Sequence, residues 1–148
     1  MKVHELYTYL HVKKAAAAVD FYVKVFEAEE KLRLTEPGGR IGHAELDLGG
    51  TTLMLADEFP EYGIFGPGPD DVPHVTIHLH VDDADEVIRR AVAAGAKVEM
   101  EPRDHLHGER SGVIRDPFGH RWNIGHNIEE VSPAEMQKRY TEMLQHPT

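Results

Sequence analysis

Arg115-Asp116-Pro117-Phe118-Gly119-His120-Arg121-Trp122 reads as a tight turn running straight into a strand. Proline pre-sets a turn backbone, glycine accepts positive φ, and aspartate bonds to the backbone just after it. Strands are expected on both sides, over Gly112 to Arg115 and His120 to Gly125. Upstream lies another short strand, Lys97 to Met100. Before it, a helix starts at Asp82 or Asp83 and runs to about Ala94. Glu86 completes a capping box with Asp83, and Gly95 is the expected helix stop. Val75 to Val81 reads as the strand that opens this half.

The same order occurs earlier in the chain. Leu6 to Val12 alternates as a half-buried strand,. Ala15 to Glu27 carries Ala18, Val19, Tyr22, Val25 and Phe26 as the apolar stripe of a helix,. Strands follow over Glu29 to Thr35, Ile41 to Leu48 and Thr51 to Ala56, with Gly49-Gly50 as a hairpin turn,. The chain thus reads as two βαβββ units, at about residues 4–57 and 74–127, a duplication at the level of pattern,. A Gly- and Pro-rich linker, residues 58–73, joins them,. Ser132-Pro133-Ala134-Glu135 starts a C-terminal helix at about residues 132–145,. The fold class is α+β, and residues 1–148 are expected to form one domain,.

Composition narrows the function. The 148 residues include no cysteine, which excludes disulfides, thiolate metal sites and a cysteine nucleophile,. A formal charge of -10 argues against nucleic-acid binding,. No apolar run approaches the roughly 18 residues of a membrane span, and Met1 to Leu6 lacks the apolar run expected of a signal peptide,. A cytoplasmic location with no membrane partner is expected. Eleven histidines are many for this length, so their placement decides what they mean.

Strand alternation sorts side chains by face. One face is apolar: Ala44, Leu46 and Leu48; Val75, Ile77, Leu79 and Val81; Trp122 and Ile124. The opposite face carries Tyr7, Tyr9 and His11; His43, Glu45 and Asp47; Thr76, His78 and His80; Arg121 and Asn123. An antiparallel sheet ordinarily leaves one polar face in water, which accounts for such a pattern without any function. Convergence of these groups on one concavity would instead make a binding site. Gly-x-Ser-x-Gly, phosphate-loop and dinucleotide motifs are absent,.

The hairpin stretch, Ala17-Ala18-Val19-Asp20-Phe21-Tyr22, His43-Ala44-Glu45-Leu46 and Val81-Asp82-Asp83-Ala84-Asp85 together resemble the vicinal-oxygen-chelate superfamily. This superfamily includes glyoxalase I, bleomycin-resistance proteins and extradiol dioxygenases; within it the chain looks like the PhnB-like branch. The resemblance covers about Tyr7 to Glu135. It implies two units bent into a cup, a small-molecule ligand and a homodimer. It also implies four metal-ligand positions, which fall on Tyr7, Glu45, Thr76 and Asn123. Only Glu45 is a ligand-type side chain, so no metal is expected at that standard site. A shifted site for a divalent ion (Zn, Ni, Mn or Fe) would use His43, Glu45 and His78. Residues two apart on one strand face lie about 6.6 Å apart.

The leading expectation is therefore a small-molecule-binding protein of the bleomycin-resistance type, without the standard metal quartet. Its ligand, polar or aromatic, would meet Tyr7, Tyr9, His11, His43, Glu45, Thr76, His78, His80 and Asn123. The alternatives are a metal-dependent lyase, isomerase or dioxygenase at the shifted site, and a cofactor-free enzyme using His78 or His80. Glu45 and His78 are the candidate catalytic groups. Arg110 is a candidate for an anion at the cup rim, with a surface ion pair as the alternative,.

Overall fold

The computed structural model describes residues 1–146. The first unit comprises β1 (Thr8–Val12), α1 (Ala15–Phe26), β2 (Glu29–Thr35), β3 (Ile41–Leu48) and β4 (Thr51–Asp57). The second comprises β5 (Thr76–His80), α2 (Ala84–Ala93), β6 (Lys97–Asp104), β7 (Glu109–Arg115) and β8 (Arg121–Asn127). A short 3-10 turn, Pro60–Tyr62, interrupts the linker, and α3 (Pro133–Gln145) ends the described chain.

Two four-stranded sheets result, ordered β1-β4-β3-β2 and β5-β8-β7-β6. The orders are the same when each unit is numbered from its first strand, so the duplication read from the sequence is structural. In each sheet the first and last strands pair in parallel and the other pairs are antiparallel.

Local chemistry sets the element ends. Asp83 accepts the Glu86 amide and caps α2, and Ser132 does the same for the Glu135 amide at α3,. Gly49 and Gly50 close the β3–β4 hairpin at φ 59° and 83°, as a two-residue turn of this twist requires,. Several bounds differ from the sequence reading. Leu6 and Val75 lie outside their strands, and Val75 is 70 % exposed instead of facing the core. The β6–β7 ladder is longer, because Arg103 and Asp104 pair with Ser111 and Arg110. Backbone pairing extends through charged residues that side-chain alternation reads as loop.

The core is continuous across both units. Tyr22 and Phe26 of α1 pack on Trp122 of β8, with ring centroids 5.4 and 4.6 Å apart. Phe118 meets Phe21 edge-on at 6.0 Å, an arrangement aromatic rings favour. Beneath these rings sits Asp116, 3 % exposed. Its Oδ1 accepts the Phe118 and His120 amides at 2.9 and 3.0 Å, which forms the turn. Its Oδ2 accepts the Tyr22 hydroxyl at 2.5 Å and Trp122 Nε1 at 2.9 Å. One carboxylate thus shapes the hairpin of the second unit and fastens the helix of the first. Burial and the adjacent Asp116 carboxylate hold the Tyr22 phenol well above its ordinary pKa, so it stays a donor,.

Candidate functional site

The non-helical faces carry the expected polar residues in two separate clusters. On the first sheet, Tyr9 of β1 reaches across β4 to β3, where its hydroxyl lies 2.8 Å from His43 Nδ1. His43 Nε2 lies 2.7 Å from Glu45 Oε2. The consistent proton placement has Tyr9 donating to Nδ1 and Nε2–H donating to the carboxylate. Tyr9 also stacks on His11, with centroids 5.1 Å apart. The small Ala56, paired opposite His11, is 2 % exposed although it lies on this face. Tyr7 precedes β1; a hydrogen bond to Glu5, then burial and the charges of Glu5 and Glu45, raise its phenol pKa. Burial, then Glu45, does the same for Tyr9.

His11 lies partly buried, with Nδ1 making no hydrogen bond, and His120 donates Nε2–H to its carbonyl at 3.1 Å. Burial, then the neighbouring His120, lowers the His11 pKa. The unfolded chain therefore binds the proton more readily, and stability rises with pH. This contribution is complete above the unfolded value of about 6.5 and is lost as pH falls through the window below it. Urea midpoints measured from pH 7.5 to 5 are expected to fall less steeply in His11→Phe than in the parent chain. Equal slopes would remove His11 from the account.

On the second sheet, His78 pairs in register with Asn123, and His80 with Gly125. Asn123 Nδ2 lies 3.1 Å from His78 Nδ1. The unforeseen member is Glu109, the first residue of β7, 6 % exposed. His80 Nε2 donates to its Oε2 at 2.8 Å. His78 Nε2 lies 3.2 Å from Oε1, in ion-pair range but off the hydrogen-bond direction, so Oε1 is left without a hydrogen bond. Glu109 lies ahead of the strand that the sequence predicts over Gly112 to Arg115. The polar pair Glu109 and Ser111, two residues apart, was the available signal, since both fall on the face of β7 that meets Gly125 and Asn127.

Thr76 sits at the exposed start of β5. His43 and Glu45 group with Tyr9, and His78 groups with His80, Glu109 and Asn123. Among the described residues, the histidine and carboxylate set whose ligand atoms lie within 4.8 Å of one another is His78, His80 and Glu109. The trio His43, Glu45 and His78 is not so grouped. Arg110 takes the ion-pair alternative. It donates to both Asp85 oxygens at 3.0 and 3.1 Å and to Asp104 at 3.1 Å, beside α2 and away from the polar face. Between the units lies a groove of about 400 Å³, lined by Phe26, Leu53, Ile77, His78, His80 and Trp122 among others.

Two βαβββ units of one strand order, each turning a polar face away from its helix, define a protein class of duplicated, cupped sheets. The chain belongs to the glyoxalase/bleomycin resistance protein/dioxygenase superfamily, whose profile matches residues 6–124. An uncharacterized protein of Mycobacterium bovis is 44% identical over 132 residues, 87% of each chain. The anthracycline biosynthesis protein DnrV of Streptomyces peucetius is 31% identical over 111 residues, 70% of this chain but 40% of that protein. The crystal structure of TioX from Micromonospora sp. ML1 superposes with a TM-score of 0.65 at 30% identity, covering 84% of this chain and 99% of that one. Among the described residues, no helix is long and apolar enough to cross a membrane.

Proposed function

We propose that the chain binds a small polar or aromatic molecule on the faces that carry Tyr9, His11, His43 and Glu45 on one sheet and Thr76, His78, His80 and Asn123 on the other. The carrying observation is the Tyr9–His43–Glu45 array. An ordinary wet sheet face holds independent, mobile side chains. Here three side chains from two non-adjacent strands are held by hydrogen bonds, with a stacked imidazole alongside. Such pre-ordering lowers the entropy cost of binding. A planar aromatic ligand fits a surface of rings, and the relative named for anthracycline biosynthesis favours that chemistry.

Tyr7, Thr76 and Asn123 offer a phenol, a hydroxyl and an amide at three of the four positions where the resemblance puts metal ligands. That donor set does not fit a divalent ion, and ligand binding is read here as needing none at those positions. Membership of the PhnB-like branch and a cytoplasmic location belong to the same reading. So does a second copy as partner, which would cover exposed apolar residues such as Leu34 of β2 and Met100 of β6.

The test is a thermal-shift screen of planar aromatics, anthracyclines included, with EDTA present, followed by titration calorimetry and native mass spectrometry. A saturable ligand is expected, bound to a two-chain assembly. Tyr9→Ala and His43→Ala should each weaken it about tenfold or more, as loss of a stacking or hydrogen-bonding partner worth about 1.4 kcal/mol does. Affinity untouched by both substitutions would refute the assignment.

A further inference from the structure

We infer that His78, His80 and Glu109 form a divalent transition-metal site built wholly within the second sheet. Its three ligands are none of the four positions to which the family resemblance points, although one of those four, Asn123, adjoins His78. The three residues supply one ligand atom each, all within 4.8 Å of one another. Two imidazoles and a carboxylate with the remaining position open to solvent are a donor set for zinc, iron(II), nickel or manganese.

Three independent observations support a built site over a chance meeting of polar residues. The first is the state of Glu109. Its carboxylate is removed from water, yet Oε1 has no hydrogen bond and lies 3.2 Å from His78 Nε2. A buried, underused carboxylate oxygen is costly unless something charged completes it. The hydrogen bond from His80 satisfies only Oε2.

The second is the space that lets Glu109 reach them. β8 lies between β5 and β7, so Glu109 must cross it. It crosses at Gly125, the residue paired with His80. A Cβ at Gly125 would clash with Glu109 Oε1. The missing side chain is the cradle for the carboxylate.

The third is the support for His78. Asn123 faces its Nδ1 at 3.1 Å, while Asn123 Oδ1 is buried and without a partner. Turning the amide over lets Oδ1 accept from Nδ1–H. That leaves the Nε2 lone pair to the metal, the usual arrangement around metal-bound imidazoles. Asn123 is thus a positioning residue and not a ligand.

The test uses untagged full-length protein, stripped with a chelator and dialysed, with no organic ligand present. Zn²⁺ affinity is read by competition with a chromophoric chelator, and Co²⁺ binding by its visible absorption. One ion per chain is expected. Glu109→Gln, nearly isosteric, should weaken binding a hundredfold or more, and Gly125→Ala should weaken it by displacing the carboxylate without removing it. Asn123→Leu should cost about 10–100-fold, as loss of a supporting hydrogen bond does. His107→Ala should leave affinity unchanged, and far-ultraviolet circular dichroism verifies the fold of each variant. Absence of binding in the parent chain would overturn the inference. So would binding that survives both Glu109→Gln and Gly125→Ala, or that is lost in His107→Ala. Because the organic-ligand screen runs with EDTA, failure of either reading leaves the other standing.

Discussion

Asp116→Ala is expected to lower folding stability by about 3–5 kcal/mol, because each buried donor left without its acceptor costs about 1–3 kcal/mol. Four donors lose their acceptor together: the Tyr22 hydroxyl, Trp122 Nε1 and the amides of Phe118 and His120. Two of them belong to the hairpin turn, so its geometry is lost along with the link to α1. Tyr22→Phe separates the two roles. It keeps the ring packing on Trp122 and removes one hydrogen bond, for about 1–3 kcal/mol. Urea denaturation followed by far-ultraviolet circular dichroism measures both. An Asp116→Ala variant within about 1 kcal/mol of the parent would mean that packing alone holds the units together.

The second large effect concerns Gly108, in the β6–β7 turn. Its φ is +87°, and a Cβ there would clash with the Glu129 carbonyl oxygen, a backbone atom fixed where the chain leaves β8. The Gly108 carbonyl in turn accepts the Ile128 and Glu129 amides. Gly108→Ala is expected to cost about 2–4 kcal/mol, since unfavourable φ contributes about 1–2 kcal/mol and relief of the clash must move backbone. Two other glycines divide the terms. Gly39 has φ +96° with open space around it, so Gly39→Ala reports the conformational cost alone. Gly38 has neither constraint, and Gly38→Ala should stay within about 0.5 kcal/mol,. Thermal unfolding of the three variants gives the ranking. A Gly108→Ala variant no less stable than Gly39→Ala would show that the Glu129 segment yields freely.

Much of the fold was legible because its signals are local. The hairpin at Asp116–Gly119, the caps at Asp83 and Ser132 and the turn at Gly49-Gly50 are each specified within about four residues. The polar faces were legible as well, because period-two alternation sorts side chains without knowledge of neighbours. Their grouping was not. Which histidine meets which carboxylate depends on strand order, and β8 inserts between β5 and β7 through pairings far apart in sequence. Glu109 was the hardest member to find. Its role rests on an absent side chain at Gly125, and its strand runs through charged residues that carry little β signal,. Trp122, by contrast, was readable as core from its apolar-face position, and it is 1 % exposed.

The carboxylate under the aromatic cluster also bears on how a duplicated chain behaves as one body. Either half alone would present a broken face: the first would expose Phe26, and the second would leave Asp116 and the indole without the phenol that meets them. The repeat is therefore architectural and not modular. Neither half can melt while its neighbour persists, the linker serves as a tether and not as a hinge, and a nick within it would leave two fragments that still need each other's company to fold.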